Sequence, residues 1–478
     1  MQRHFKTIAI LFLLSINLIE TDAQPLVKEN LISIDKQNSI YAEEIISKIK
    51  AGKQVYYNNI IIIGDLDISD LNLSSTIRSN IKIINSVILG KVDLSGYKYE
   101  NPVDFSNSTF KDMADFSGIE FASLAYFVDS RYNNKVTFQS SRFNRDASFR
   151  YAKFERDANF EDTRYYGEAD FRETTFGEDA FFRGSAFLEI ADFIECKVLG
   201  SAFFGNATFK NAAQFSKSRF KKYADFSDAQ FTGNAIFAMT EFSNAADFKR
   251  SNFKENANFL ATKFQSKGLF QYARFGGDTD FSEAFLNRNI NLSKATLRRF
   301  NIEWNLLKDR LDYDGSAYLA LVKSYRDLEM FDYADSCYYD YRKIGQEKKP
   351  IGLSKGIDII AEKTCGYGVR PDYTLWLSLL VILVFSLIYW IGNSLNDANS
   401  CSRLRTFSFI KLSTVSKIDI VDSFTNAIQF SSSTFISLAM PEWRPSSIFW
   451  KWIIITERLI GWLLLALLLV TLGHVMIR

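Results

Sequence analysis

A chain of 478 residues with a net charge of +2 carries neither the broad basic field used to hold nucleic acid nor a strongly acidic one. Its two histidines, His4 and His474, and four scattered cysteines, Cys196, Cys337, Cys365 and Cys401, argue against most zinc, catalytic-triad and disulfide-framework chemistry. No convergent nucleophile, base or metal cluster is visible, so neither an enzymatic activity nor a cofactor is expected, and no nucleic-acid partner.

At the N-terminus, Arg3 and Lys6 precede an apolar run from Ile8 to Ile19 and then Thr21-Asp22-Ala23. This is the layout of a secretory signal peptide over 1–23; an uncleaved anchor is the competing reading, and both export the domain behind it. Residues 24–82 read as an N-terminal cap. Ile32 to Ile49 has the apolar spacing of an amphipathic helix, and Val55-Tyr56-Tyr57 and Ile60 to Ile63 are rich in strand-forming residues.

From Ile83 a fixed 11-residue period takes over: Ile83, Leu94 and Phe105 lead into Phe116, Phe127, Phe138 and onward to Phe281. A second track sits five positions on, from Ile88 and Tyr99 through Phe110, Phe121, Tyr132 and Phe143 to Phe275. Two positions before each first-track aromatic stands a small or β-branched residue, such as Ala114, Ala125, Val136 and Ala147. Polar residues fill the gaps. Neither helical nor flat-sheet periodicity fits, whereas stacked coils of a parallel β-helix do. Units such as Ala147-Ser148-Phe149-Arg150-Tyr151 and Ala224-Asp225-Phe226-Ser227-Asp228 make residues 83–299 resemble the pentapeptide-repeat family. The resemblance implies a right-handed quadrilateral parallel β-helix, one five-residue unit per face. Here each pair of units is one position longer than two pentapeptides, so a coil is two of the 11-residue periods and the stretch holds nine coils. The strand spacing makes that a rod of about 40 Å.

Residues 300–347 change period. Trp304, Leu307 and Leu311, then Tyr318, Leu321, Val322 and Tyr325, recur at three and four, which predicts a helical-hairpin neck broken near Asp312–Gly315. Residues 348–372 read as a basic, glycine-containing linker. Beyond it, 373–478 holds two apolar stretches, Tyr373 to Ile391 and one within Ile448 to Ile477, each long enough to span a bilayer. Trp376, Tyr389, Trp390, Trp450 and Trp452 sit near their ends, as interfacial aromatics do.

Between the two stretches lie a helix-compatible segment, Phe424 to Phe430, and the hydroxyl-rich run from Ser431 to Ser437. The order is span, short helix, loop, span. On Ala427-Ile428-Gln429-Phe430-Ser431, Ser433-Thr434-Phe435 and Glu457-Arg458-Leu459-Ile460-Gly461-Trp462, the region resembles the two-transmembrane potassium-channel pore family, especially its branch joined to pentapeptide repeats. The resemblance implies two transmembrane helices with a re-entrant pore loop and a homotetramer in the cell membrane. It assigns Phe430, Ser431 and Ser433 to the pore helix, Thr434 and Ser437-Leu438-Ala439-Met440-Pro441 to the filter, and Glu457, Arg458 and Gly461 to the inner helix. The family filter is Thr-x-Gly-Tyr-Gly or Thr-Leu-Gly-Phe-Gly; both glycines are replaced here, and proline cannot take the backbone angles that such a filter needs. Glu457 and Arg458 either line a vestibule, pair across subunits or sit at the interface with their charges in water.

Two functions therefore stay open: an ion-conducting pore that carries the rod as a sensor or docking surface, and a non-conducting, membrane-anchored scaffold whose rod binds a protein partner. With the leader as read, the repeats are extracytoplasmic and the pore loop enters from the cytoplasm, opposite to potassium channels. The lysines and arginines between the spans agree weakly with a cytoplasmic loop.

Overall fold

The computed structural model describes residues 38–69, 75–392, 395–397, 417–437, 443–445 and 448–476. The expected leader at 1–23 lies outside them. The chain divides into two compact units, 1–328 and 329–478.

The first unit is a parallel β-solenoid of about 12 coils, its longest single ladder counting 12 strands. Each regular coil lays down four two-residue strands, and each strand pairs in parallel with its counterpart one coil on, as in Phe110↔Tyr132, Tyr132↔Phe154 and Phe154↔Phe176. Strand residues alternate, one inward and one outward. The two phenylalanine tracks thus become four internal columns, because successive members of one track fall on different ladders. Ring centroids of Phe160, Phe182 and Phe204 follow one another at 4.9 and 4.7 Å with nearly parallel planes. Neighbouring columns meet edge to face, as Phe171 and Phe182 do at 5.3 Å and 89°. Ladder spacing forces the parallel stacking within a column, and edge-to-face contact between columns is the arrangement that ring quadrupoles favour.

The small residues two before the rings are also inside. Before the first track they are mostly alanines, with Val103, Val136, Gly268 and Thr279 the exceptions, and their small size leaves room for the facing columns. Before the second they are largely Ser, Thr or Cys with a bond to make: Thr163 Oγ1 donates to the carbonyl of Phe138 (3.0 Å), Thr174 Oγ1 to Phe149 (2.8 Å) and Ser185 Oγ to Phe160 (2.6 Å). Cys196 Sγ takes the same place against the carbonyl of Phe171 at 2.9 Å. Each coil also turns through a left-handed residue two positions after every first-track ring; Asn107, Asp129, Ser140, Tyr151, Asp162 and Glu173 all have φ between 51° and 61°. That conformation costs an ordinary residue roughly 1–2 kcal/mol. Hydrogen bonds between coils hold it, as where Tyr151 N donates to the carbonyl of Arg172 at 3.0 Å.

The ladders begin well before residue 83. Ser39–Tyr41 pairs with Ile61–Ile63 at the regular step, and Ala42–Lys50 forms helix α1 between these strands, burying Ala42, Ile45 and Ile49. The next pairings, Val55↔Ile81, Ile61↔Val87 and Leu66↔Val92, each span four positions more than a regular coil. One coil four positions longer than the rest breaks the sequence phase, while the pairings on either side of it continue the same ladders. The nine coils expected from the phase are accordingly about 12 in the fold.

The solenoid closes at the other end on short helices. A bulge between Phe275 and Asp278 shortens the last pairings by one position, which brings Phe300 against Phe281 at 4.9 Å. Trp304–Leu307 (α2) and Gly315–Asp327 (α3) come next, and Ser324 Oγ of α3 accepts from the Phe300 amide at 2.6 Å. Asp314 caps α3 by accepting from the amides of Ser316 (3.0 Å) and Ala317 (3.1 Å). The expected break near Asp312–Gly315 is this cap, and α3 ends at Asp327.

The second unit is helical: Phe331–Lys348 (α4), Leu353–Cys365 (α5), Pro371–Gly392 (α6), Lys417–Phe435 (α7) and Ile448–Met476 (α8). A two-stranded antiparallel ribbon pairs Leu395–Asp397 with Trp443–Pro445. Within the expected linker at 348–372, Leu353–Cys365 forms α5. Leu353, Ile357 and Ile360 recur at four and three along it, a helical stripe that the interleaved lysines and glycines obscure in the sequence.

Candidate functional site

Helices α6 and α8 are both long and apolar enough to cross a membrane. Their packing reverses that of a soluble core. On α6 the buried side chains are Thr374, Ser378, Ser386 and Tyr389, while Leu375, Leu379, Leu380 and Leu383 stand outside. On α8, Glu457, Gly461, Leu464 and Thr471 face inward at helical spacing, and Leu459, Leu463, Leu469 and Val470 face out. The buried hydroxyls bond locally, Ser378 Oγ to the Thr374 carbonyl (2.7 Å) and Ser386 Oγ to that of Ile382 (2.6 Å). The polar groups are thus satisfied inside and the leucines stand outside.

Helix α7 packs against both, and a buried polar cluster ties the three together. The Glu457 carboxyl is fully enclosed. Tyr389 Oη of α6 donates to its Oε2 at 2.6 Å. Ser431 Oγ of α7 lies 2.5 Å from its Oε1 and 3.0 Å from the Ile382 carbonyl of α6. Phe430 meets Tyr389 edge to face at 5.1 Å, in a core that Ala427, Phe385, Trp450, Ile453 and Ile454 complete.

One turn further along α8, Gly461 permits a close approach between α7 and α8: a Cβ there would sit 2.4 Å from the carbonyl oxygen of Phe435, the last residue of α7. Beside it, Trp462 Nε1 donates to Ser437 Oγ at 2.6 Å, and Ser437 has a left-handed backbone with φ 64°. Thr434 and Ser433 are buried, the latter donating to the Phe430 carbonyl at 2.8 Å.

The structure thus brings Phe430, Ser431, Ser433, Thr434, Ser437, Glu457 and Gly461 into one three-helix contact. Arg458 is exposed and makes no ion pair among the described residues. Leu438, Ala439, Met440 and Pro441 lie outside the described residues. Tyr389, legible in the sequence only as an aromatic near the end of a span, bonds Glu457 alongside Ser431; its separation of 68 positions from Glu457 hides the pairing.

The solenoid offers a second candidate surface. Its outward strand residues form separate columns with different charge. One carries Arg131, Lys153, Thr175, Lys197, Arg219, Glu241 and Lys263, and another carries Asp93, Asp115, Thr137, Asn159, Phe181, Phe203, Asp225 and Asp247. Lys153, Lys197 and Lys263 border a groove that Tyr151, Glu195 and Met239 also line.

A family model for pentapeptide repeats, with 9 copies, matches residues 133–175, 150–196 and 182–230. No curated protein and no solved structure matches the chain. The chain contains pentapeptide repeats wound as a β-solenoid, together with two helices able to cross a membrane.

Proposed function

We propose that this is a multi-pass cell-membrane protein in which a pore-like domain, residues 373–478, is joined to an extracytoplasmic pentapeptide-repeat rod that senses or docks a protein partner. The rod has the right-handed, four-sided winding of that repeat family, a reading that four strands per coil support. The observation that carries the membrane part is the inside-out packing of α6, α7 and α8 around Glu457. Support for a re-entrant segment comes from where α7 ends. Phe435 lies against Gly461, well inside α8, and a short stretch later the chain pairs at Trp443–Pro445 with Leu395–Asp397, just beyond the end of α6. Backbone that enters and returns at membrane depth survives only when buried or facing water. In this reading four copies surround a cation path, and the exposed Arg458 faces a neighbouring subunit or the lumen rather than lipid.

A non-conducting scaffold is the second reading, favoured by Ala439 and Pro441 where the channel family has glycines. One experiment separates the two. The full chain is reconstituted in liposomes, its copy number is read by native mass spectrometry, and potassium and sodium flux are recorded. A tetramer with flux that is lost when the 437–441 segment is replaced supports the pore. A monomer that is silent in both ions overturns it in favour of the scaffold. Protease accessibility of the repeats in intact cells tests the side on which they lie; protection would reverse the assigned topology.

A further inference from the structure

We infer that helix α5 lies in the surface of a lipid bilayer, as a third membrane-contacting element immediately before α6. The inference rests on the reading of α6 and α8 as spans. Leu353, Ile357 and Ile360 form one stripe along α5 and are 83%, 58% and 63% exposed, with Ile359 and the preceding Ile351 uncovered as well. The opposite face holds the acids. Asp358 and Glu362 are buried against α4, where Asp358 receives Arg342 Nη2 at 3.2 Å and Lys349 Nζ, and Glu362 receives Tyr339 Oη at 3.5 Å.

A helix beside water would do the reverse, turning isoleucines in and carboxylates out. Turning paired acids inward and isoleucines outward suits surroundings that are apolar on the outer side. One edge of the stripe carries the exposed Lys363, while Lys355, on the side of the acids, reaches back to the carbonyls of Glu347 (3.3 Å) and Lys349 (3.2 Å). A lysine on such a rim keeps its stem in the apolar layer and its ammonium at the headgroups.

Continuity with α6 identifies lipid, rather than a second copy of the chain, as the occupant. Three successive left-handed residues, Gly366, Tyr367 and Gly368 (φ 53°, 58° and 90°), turn the chain sharply between the two helices. A Cβ on Gly366 would meet that of Arg370 at 2.5 Å, so the corner requires glycine there. The corner is pinned: Thr374 Oγ1 in the first turn of α6 donates to the Thr364 carbonyl of α5 at 2.8 Å. The guanidinium of Arg370 stacks 5.7 Å above the Tyr339 ring of α4. The uncovered face of α5 thus leads, through a fixed corner, into the uncovered Leu375, Trp376 and Leu379 of α6.

Nitroxide labels decide the matter on the full chain with Cys401→Ser, in vesicles of phosphatidylcholine and phosphatidylglycerol. Single labels go on Ile357→Cys, Ile360→Cys, Leu383→Cys in the middle of α6, and the solenoid-end residue Lys308→Cys as the aqueous reference. The expected result is that oxygen relaxes the labels at 357 and 360 several-fold more than a water-soluble nickel chelate does, as at 383 and unlike 308. Labels at 357 and 360 that match 308 while 383 stays lipid-like overturn this inference and leave the spans standing. Broadening between labels at 360 that vanishes on dilution with unlabelled chain assigns the face to a second copy and overturns it too. A water-like label at 383 removes the spanning reading and this inference with it.

Discussion

At the scale of single residues, the solenoid core sets the rules that its rings obey. A side chain there is fully enclosed and stacked on the coils before and after, so it gains about 1.5–3 kcal/mol from burial but tolerates no unmet polar group. Tyr165 breaks the second rule. It stacks between Phe143 at 5.0 Å and Phe187 at 4.8 Å, and its hydroxyl makes no hydrogen bond among the described residues. Burial drives its phenol pKa far up. Removing the hydroxyl should therefore help: Tyr165→Phe is expected to stabilise the solenoid by roughly 1–3 kcal/mol, measured by denaturant unfolding. Unchanged or lowered stability would show that the hydroxyl is satisfied. The rhythm of rings was plain in the sequence. The bond made by the hydroxyl or thiol before most second-track rings was not, because Ser, Thr, Cys and Ala there share only small size, and in most cases the accepting carbonyl belongs to the preceding coil.

At the scale of elements, caps and contacts between helices decide where segments stop. Asp314 holds the first turn of α3, and its hydrogen bonds to the Ser316 side chain and to nearby amides keep its carboxyl below the ordinary value of 3.8. A depressed carboxylate lends stability above its unfolded value and withdraws it as pH falls through the lower folded one. Asp314→Asn should keep the cap and flatten stability against pH below about 4. Asp314→Ala should cost about 1 kcal/mol at neutral pH. Acid titrations of helicity and melting for the three proteins check this, and an Asn variant with undiminished acid sensitivity would refute it. In the second unit, Glu457→Leu strands Tyr389 Oη and removes one acceptor of Ser431 inside the three-helix contact, at an expected cost of about 1–2 kcal/mol in detergent unfolding. Glu457→Gln preserves a partner for both and should lose much less. Equal losses would mean that the carboxyl's bonds contribute nothing. The middle of α7, Phe424 to Phe430, could be read from its sequence; its full extent and its pairing with Glu457 could not, since that contact joins three helices distant along the chain.

At the scale of the whole solenoid, each coil touches only its neighbours, so damage should stay local. Phe182→Ala removes a ring stacked on Phe160 and Phe204 and is expected to cost about 3–5 kcal/mol. Amide exchange should accelerate around residues 158–206 and remain slow in coils at either end. Uniform acceleration along the whole rod would instead mean one cooperative unit. Sequence alone determined that the middle of the chain is a solenoid, because a ring at every eleventh position can be buried only by stacking coils, and that its tail carries two apolar stretches of bilayer length. Tertiary structure decided the rest. It carried the ladders back through one longer coil, since pairing depends on which strands lie side by side and not on spacing in the chain. It sorted the outward charges onto separate columns, because residues one full coil apart become neighbours while those half a coil apart do not. It also turned polar side chains inward and leucines and isoleucines outward on α5, α6 and α8, an orientation fixed only once the helices pack.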